Sequence, residues 1–174
     1  TLSSFGTKIY YIHGNRDFLL GKKYAQKSAM ILLPEVELID LYGQEVVIMH
    51  GDTLCTRDIA YQKFRLKSRS WWWQTLVKNL PLFLRKKMAA NYRKKSAAAT
   101  ATKSQDIMDV TPNEVVNCLE DNHSQLLIHG HTHRHELTAN NQNAKRVVLG
   151  DWYEQGAWLK VTPSSIELMN TPLT

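Results

Sequence analysis

QLLIHGHTH, residues 125–133, begins as a short apolar run and ends in three histidines separated by single residues. A short apolar run that is followed closely by glycine is typical of a buried β-strand that ends in a loop. The glycine lets the chain turn, so that His131 and His133 can face neighbouring metal ions. A solvated histidine-rich turn has the same local sequence, so the assignment depends on the rest of the chain.

Two earlier segments share this layout, in which a short strand delivers polar side chains into a loop. Residues 8–12 lead into Gly14-Asn15-Arg16-Asp17, and residues 45–49 lead into His50-Gly51-Asp52. Open α/β sheets bind ligands at the carboxyl ends of their strands, so Asn15, His50 and His131 are expected to converge. The amide oxygen of Asn15 is a hard donor suited to Mn²⁺ or Mg²⁺. Alone, each residue could form a turn or a hydrogen bond, but together they favour a metal site.

The other apolar patterns predict helices early in the chain and strands late. A chain of 174 residues with 43% hydrophobic residues can bury one substantial core. We therefore predict an α/β fold with helices layered on sheets. The predicted elements are helices at 20–29 and 113–121, a hairpin of 36–41 with 45–49, and strands at 146–149, 157–161 and 166–169.

Residues 57–103 form a basic insertion in an otherwise acidic chain. They contain 13 of the 22 Lys and Arg residues and one of the 16 Asp and Glu residues, a net charge of +12 against −6 elsewhere. Their pattern predicts two helices divided by Pro81, with 96–102 as a flexible link. The predicted organisation is a core of 1–56 and 104–174, interrupted by a helical cap at 57–103.

Cysteine usage and hydropathy limit the environment of the protein. Cys55 and Cys118 lie far apart in sequence, which favours a reducing, intracellular setting. No apolar run approaches the roughly 20 residues of a membrane-spanning helix, so we expect a soluble or surface-bound protein. The chain begins with Thr1 close to a predicted strand, and we expect the natural protein to extend upstream.

The order of these motifs resembles the calcineurin-like metallophosphoesterase superfamily. Within this superfamily, the residues of the motifs resemble the UDP-2,3-diacylglucosamine hydrolase family of lipid A biosynthesis, and the resemblance extends over essentially the whole chain. The resemblance implies an αββα sandwich with an inserted helical cap. The residues that carry it are Gly14-Asn15-Arg16-Asp17-Phe18, His50-Gly51-Asp52-Thr53-Leu54-Cys55, Ile107-Met108-Asp109-Val110 and Val148-Leu149-Gly150-Asp151-Trp152.

The resemblance also implies a pair of metal ions, Mn²⁺ more than Mg²⁺. One ion would be held by Asn15, His50 and His131 with a bridging aspartate, and the other by His133 with that aspartate. Relatives carry the aspartate in Asp-x-His and Gly-Asp-x-x-Asp motifs upstream of the Asn15 turn, and neither motif occurs before that turn in the given sequence. The N-terminal strands of the sandwich are thus expected to be missing here.

The substrate and its reaction are implied by the same resemblance. Arg16 and His131 are the expected catalytic residues, and Thr100 stands where relatives commonly have Asn. Arg16 cannot donate a proton near neutral pH, which favours cleavage of a pyrophosphate, whose phosphate leaving group needs no acid. The alternative for Arg16 is a surface ion pair with Asp17. The expected substrate-binding residues are Asn15, Arg16, Asp58, Ser96, Thr100, Lys103 and His131.

The implied activity is hydrolysis of UDP-2,3-diacylglucosamine to UMP and 2,3-diacylglucosamine 1-phosphate. Trp71, Trp72 and Trp73, with the basic clusters at 85–87 and 93–95, fit a lid against acyl chains and an anionic membrane surface. We expect a monomer on the cytoplasmic face of the inner membrane. Three alternatives remain: a soluble nucleotide or other phosphodiester as substrate, an inactive fragment, or a nucleic-acid-binding module, against which the three metal-type loops argue.

Overall fold

The chain folds into two compact units that together give an α/β fold. The computed structural model describes residues 2–132, 136–139, 144–153 and 155–173. The core unit consists of Thr1–Leu54 and Val110–Thr174, and the helical unit consists of Cys55–Asp109.

The core unit contains all the strands that the structure describes. Helix α1 spans Lys22–Lys27, and the later helix of this unit spans Pro112–Asp121. Short 3₁₀ turns lie at Leu2–Phe5 and Asp52–Leu54. The strands are β1 (Ile9–Tyr11), β2 (Met30–Leu32), β3 (Val36–Leu41), β4 (Gln44–Met49), β5 (Leu126–His129), β6 (Glu136–Ala139), β7 (Lys145–Val148), β8 (Gln155–Val161) and β9 (Ile166–Pro172).

A five-stranded sheet with the order β3-β4-β5-β7-β6 organises the core unit. Strands β4, β5 and β7 run parallel, so their carboxyl ends share one edge of the sheet. His50 follows β4 at this edge, and His131 lies two residues beyond β5. The predicted hairpin of β3 and β4 is confirmed. Its turn residues Tyr42 and Gly43 have φ values of 58° and 86°, the left-handed pair that tight hairpins require.

The five-stranded sheet is covered on both faces. On one face, Val46 and Leu126 are fully buried and pack with residues of β8 and β9, including Leu159 and Leu168. On the other face, the sulfur of Met49 lies 3.9 Å from Cys118 of the helix Pro112–Asp121. Strands β8 and β9 form an antiparallel pair of their own. Two sheets therefore face each other under a helix, in the layered arrangement that the sequence predicts.

The helical unit consists of three longer helices and one short one. They are α2 (Ile59–Arg69), α3 (Trp71–Asn79), α4 (Leu82–Thr102) and α5 (Gln105–Met108), so the helix Pro112–Asp121 is α6. The rings of Phe64 on α2 and Tyr92 on α4 pack with centroids 5.3 Å apart. None of the described helices is both long enough and apolar enough to cross a membrane.

Two predictions for the helical unit are wrong. Residues 96–102 are the last turns of α4 and not a flexible link, because alanine has the highest helix propensity and the stretch lacks Gly and Pro. The predicted two helices are three, because a helix ends at Ser70 in addition to the division at Pro81. The Ser70 hydroxyl donates to the carbonyl of Lys67 at 2.6 Å, and this local bond accompanies the end of α2.

The early part of the core unit also departs from the prediction. Helix α1 is shorter than the predicted 20–29, because Gly21 precedes its first turn and Ala29 adopts a left-handed φ of 52° just beyond it. The three-residue strand β2 follows and pairs in parallel with β1. Neither β2 nor β6, which are three and four residues long, is among the predicted strands.

Candidate metal centre

Three of the four predicted metal ligands meet at the carboxyl edge of the sheet. Nδ1 of His131 lies 3.2 Å from Nε2 of His50, and the two rings meet edge to face with centroids 5.0 Å apart. Nδ2 of Asn15 lies 3.5 Å from the same Nδ1 of His131. The fourth predicted ligand, His133, lies outside the described residues.

The separation of the two imidazole nitrogens fits a shared metal ion. Two nitrogens bound to one divalent ion at about 2.1 Å are held roughly 3.0–3.4 Å apart in octahedral or tetrahedral geometry. Rotation of the Asn15 amide about its terminal bond brings its oxygen to the place of its nitrogen. The described residues contain no group of three His, Cys, Asp or Glu side chains that could hold a metal. The donor set is instead two imidazoles and one amide, which fits a single divalent ion with open positions.

Backbone hydrogen bonds tie the two histidine loops together. The N–H of Gly130 donates to the carbonyl of His50 at 3.1 Å, and the N–H of Leu149 donates to the carbonyl of His129 at 2.8 Å. His131 adopts a left-handed φ of 66°, which is uncommon for a residue with a side chain. The residue with this left-handed backbone is the one whose imidazole lies beside His50.

Two glycines allow these loops to approach each other. A Cβ at Gly51 would lie 2.7 Å from Nδ1 of His129, and the φ of Gly51 is 102°. A Cβ at Gly14 would lie 3.2 Å from Cε1 of His50. Gly51 therefore has no room for a side chain without movement of His129, and at Gly14 the imidazole of His50 would have to shift by a few tenths of an ångström.

A small hydrogen-bond network shapes the turn that carries Asn15. Oδ1 of Asp17 accepts the N–H of Gly14 at 2.6 Å, and Oδ2 accepts the hydroxyl of Tyr11. Nε2 of His13 lies 2.8 Å from the carbonyl oxygen of Leu20, and this contact joins the two ends of the loop. No role for Tyr11 or His13 is predicted from the sequence, because both lie in or beside a strand and match no motif.

The Tyr11 bond predicts a pH dependence. Burial, and then the hydrogen bond to the Asp17 carboxylate, raise the pKa of Tyr11 from 10.0 to about 12. The raised pKa means that the stabilising contribution of Tyr11 is complete below pH 10 and is lost as the pH rises through about 12. Titration of phenolate absorbance in the folded protein should show one late tyrosine that Tyr11→Phe removes. An unchanged titration curve in this variant would contradict the assignment.

Arg16 projects from the same turn into solvent. Its side chain is exposed, and both carboxylate oxygens of Asp17 are engaged by Gly14 and Tyr11. The residues that the structure describes contain no ion pair between Arg16 and Asp17. Arg16 therefore has its charge available beside Asn15, on a turn whose backbone is fixed.

The remaining predicted substrate residues belong to the helical unit. Nζ of Lys103 lies 2.7 Å and 2.5 Å from the two carboxylate oxygens of Asp58. Ser96 and Thr100 are exposed and lie four residues apart on α4. Asp58 and Lys103 thus contact each other, while Asn15, His50 and His131 meet in the core unit.

Comparisons with known proteins extend along almost all of this sequence. No protein-family model matches the chain. The UDP-2,3-diacylglucosamine hydrolase of Klebsiella pneumoniae subsp. pneumoniae is 55% identical over 170 residues, which are 96% of this chain and 71% of that protein. The protein of the same name from Escherichia fergusonii is 55% identical over 174 residues, 98% of this chain and 72% of its own. The protein of the same name from Salmonella typhimurium is 53% identical over 176 residues, which cover 99% of this chain and 73% of that protein.

Proposed function

The chain belongs to the UDP-2,3-diacylglucosamine hydrolase family, and from this membership we propose that it hydrolyses the pyrophosphate bond of UDP-2,3-diacylglucosamine. The products are UMP and 2,3-diacylglucosamine 1-phosphate. The observation that supports the proposal best is the meeting of Asn15, His50 and His131 at one edge of the sheet. Imidazole nitrogens and an amide oxygen are donors that a divalent metal ion can accept.

We further propose Mn²⁺ as the resident ion, in a pair. Bound divalent ions supply a nucleophilic water near neutral pH and neutralise phosphoryl charge. Asn15, His50 and His131 would hold one ion, and the proposed contribution of His133 is to the other. Nδ1 of His131 and Nε2 of His50 are already 3.2 Å apart, so the two side chains would need little rearrangement to bind an ion.

Arg16 favours a pyrophosphate bond as the bond that is cleaved. Its guanidinium stays charged and can hold the phosphoryl oxygens through paired N–H bonds, but it cannot protonate a leaving group. A phosphate leaving group with a second pKa of roughly 6 departs without that proton. Asp17 is engaged by Gly14 and Tyr11, and Arg16 is exposed, so among the described residues Asp17 does not compete with a phosphate for the guanidinium.

The test is release of UMP by the purified chain with Mn²⁺ present. We expect turnover of UDP-2,3-diacylglucosamine and much weaker turnover of the deacylated UDP-sugar. Equal turnover of both would favour a soluble nucleotide substrate, and no UMP from either would refute the substrate assignment for this chain. Metal analysis of the same sample distinguishes an inactive fragment, which would bind fewer than two ions tightly.

We also propose that the helical unit rests on the anionic cytoplasmic surface of the inner membrane. Leu66, Trp71 and Phe83 are 69%, 80% and 68% exposed, which is unusual for such large apolar side chains on one small unit. Arg93, Lys94 and Lys95 on α4 are also exposed. Exposed apolar and basic side chains together are typical of helices that lie in a membrane interface.

Vesicle binding tests the membrane proposal. Replacing Arg93, Lys94 and Lys95 by glutamine should weaken binding to anionic vesicles by about 100-fold, since each basic residue near the surface contributes roughly 1 kcal/mol. A matched control replaces Lys22, Lys23 and Lys27 of α1, which are also exposed and carry the same charge. Equal losses in the two variants, or equal binding to neutral and anionic vesicles, would contradict the proposal.

A further inference from the structure

The side chain of Tyr11 connects a paired strand to the turn that carries Asn15. Tyr11 is the last residue of β1, and its carbonyl accepts the N–H of Leu33 at 2.9 Å, just beyond β2. Its hydroxyl donates to Oδ2 of Asp17, six residues further along the chain. The phenol therefore reaches the turn from a backbone position that pairing with β2 already holds in place.

Asp17 joins Tyr11 to the residue that precedes Asn15. Oδ1 of Asp17 accepts the N–H of Gly14 at 2.6 Å. A Cβ at Gly14 would lie 3.3 Å from this oxygen and 3.2 Å from Cε1 of His50, so Gly14 lies between the carboxylate and the imidazole. The position of Gly14 in turn sets where the backbone of Asn15 begins.

The Tyr11 hydroxyl remains a hydrogen-bond donor at neutral pH. Burial and the neighbouring Asp17 carboxylate raise the pKa of Tyr11 to about 12, so the phenol keeps its proton. The same turn is closed by the N–H of Leu20, which donates to the carbonyl of Asp17 at 2.8 Å. Asp17 is thus restrained through both its side chain and its backbone.

We propose that Tyr11 is a positioning residue for the metal centre, which acts through Asp17 and Gly14 to hold Asn15 where it can bind the ion. The inference rests on the proposed function, because it concerns the Mn²⁺ ion proposed there for Asn15. Tyr11 itself supplies no ligand. Without its hydroxyl, the carboxylate loses one of its two donors and the turn has more freedom, so more order must be imposed when the ion binds.

The Mn²⁺ affinity of the metal-free chain tests the role of the hydroxyl. Tyr11→Phe should weaken Mn²⁺ binding by about tenfold in titrations with a competing chelator, the lower end of the range for residues that support metal ligands. Tyr10→Phe is the matched control, because Tyr10 is the neighbouring residue of β1, points to the opposite face and is 53% exposed. Tyr10→Phe should bind Mn²⁺ as tightly as wild type, and equal affinities of the two variants would overturn the proposal.

A second control separates positioning from folding stability. Ser124→Ala also removes a hydroxyl, which donates to the carbonyl of Glu45 at 2.8 Å where β4 and β5 begin, at the edge of the sheet opposite the metal centre. This variant should melt at a lower temperature than wild type and keep its Mn²⁺ affinity. All affinities are measured at a temperature at which circular dichroism shows every variant to be folded. If Ser124→Ala loses as much affinity as Tyr11→Phe, the loss reflects stability and the proposal fails.

The double variant of Tyr11→Phe and Asp17→Ala tests the route of the effect. In the Asp17→Ala background, Tyr11→Phe should cause no further loss of Mn²⁺ affinity, because the hydroxyl acts only through that carboxylate. Losses that multiply would overturn the proposal, and if Asp17→Ala does not fold, Tyr11→Phe and its two controls decide alone.

These titrations need no substrate, so they are independent of the test of the proposed function. A chain that shows the expected differences in Mn²⁺ affinity but releases no UMP would refute the proposed substrate and support the role of Tyr11. A wild-type chain that binds no Mn²⁺ would refute the role of Tyr11.

Discussion

Replacing His131 with alanine is expected to lower release of UMP by more than about 100-fold, because even residues that only support metal ligands contribute 10-fold to 100-fold. His131 lies within 3.5 Å of both other described members of the metal centre, so its imidazole joins Asn15 to His50. Mn²⁺ affinity, measured by titration with a competing chelator, should fall together with turnover. His50→Ala should have a similar effect, since it removes the other imidazole.

His123 supplies the control for this substitution. It is also a histidine with a left-handed backbone, at a φ of 51°, and it is exposed after α6, away from the strand ends. His123→Ala therefore reproduces the change in residue type and the backbone cost, and it should leave metal affinity and turnover near wild type. If His123→Ala and His131→Ala lose Mn²⁺ affinity equally, the loss comes from the backbone and not from a lost ligand.

The second large effect is expected from Gly51→Ala. The new methyl group would lie 2.7 Å from Nδ1 of the buried His129, on a residue whose φ of 102° disfavours any side chain. Left-handed strain costs about 1–2 kcal/mol and overpacking about 1–3 kcal/mol, so the free energy of unfolding should fall by about 3 kcal/mol. Chemical denaturation measures this loss directly.

Two other glycines separate the contributions to that loss. Gly43 has a φ of 86° but open space around its missing Cβ, so Gly43→Ala should show the backbone cost alone. Gly21 has neither a positive φ nor a close neighbour, and Gly21→Ala should change stability by less than about 1 kcal/mol. A loss at Gly51 no greater than that at Gly43 would mean that His129 moves aside without cost.

The meeting of Asn15, His50 and His131 could be predicted from sequence because it depends on strand ends. Asn15, His50 and His131 each follow a short apolar run, and the parallel pairing of β4 and β5 brings the two histidine loops to the same edge. The pattern of apolar residues thus predicted both the strands and the meeting of these side chains. His133 remains a prediction, because it lies outside the described residues.

Other features depend on contacts that no local pattern contains. The bond from Tyr11 to Asp17 forms only because the turn folds back on its own strand. The pairing of Asp58 with Lys103 spans 45 residues, and the resemblance alone predicts a substrate contact for each of them without predicting this pair. The continuation of α4 through residues 96–102 was missed because an exposed helix has no apolar period to detect.

The full exposure of the alanine-rich end of α4 has a consequence for local unfolding. Residues 93–102 include none that is buried, so packing contributes little to holding these turns together. Helix propensity alone gives a short segment only marginal stability in water. Backbone amides there should exchange with solvent through opening of a few turns, whereas those of β4 and β5, which lie in the buried sheet, exchange only when the core unit opens. The Asp58–Lys103 ion pair then restrains the end of α4 that would otherwise fray first.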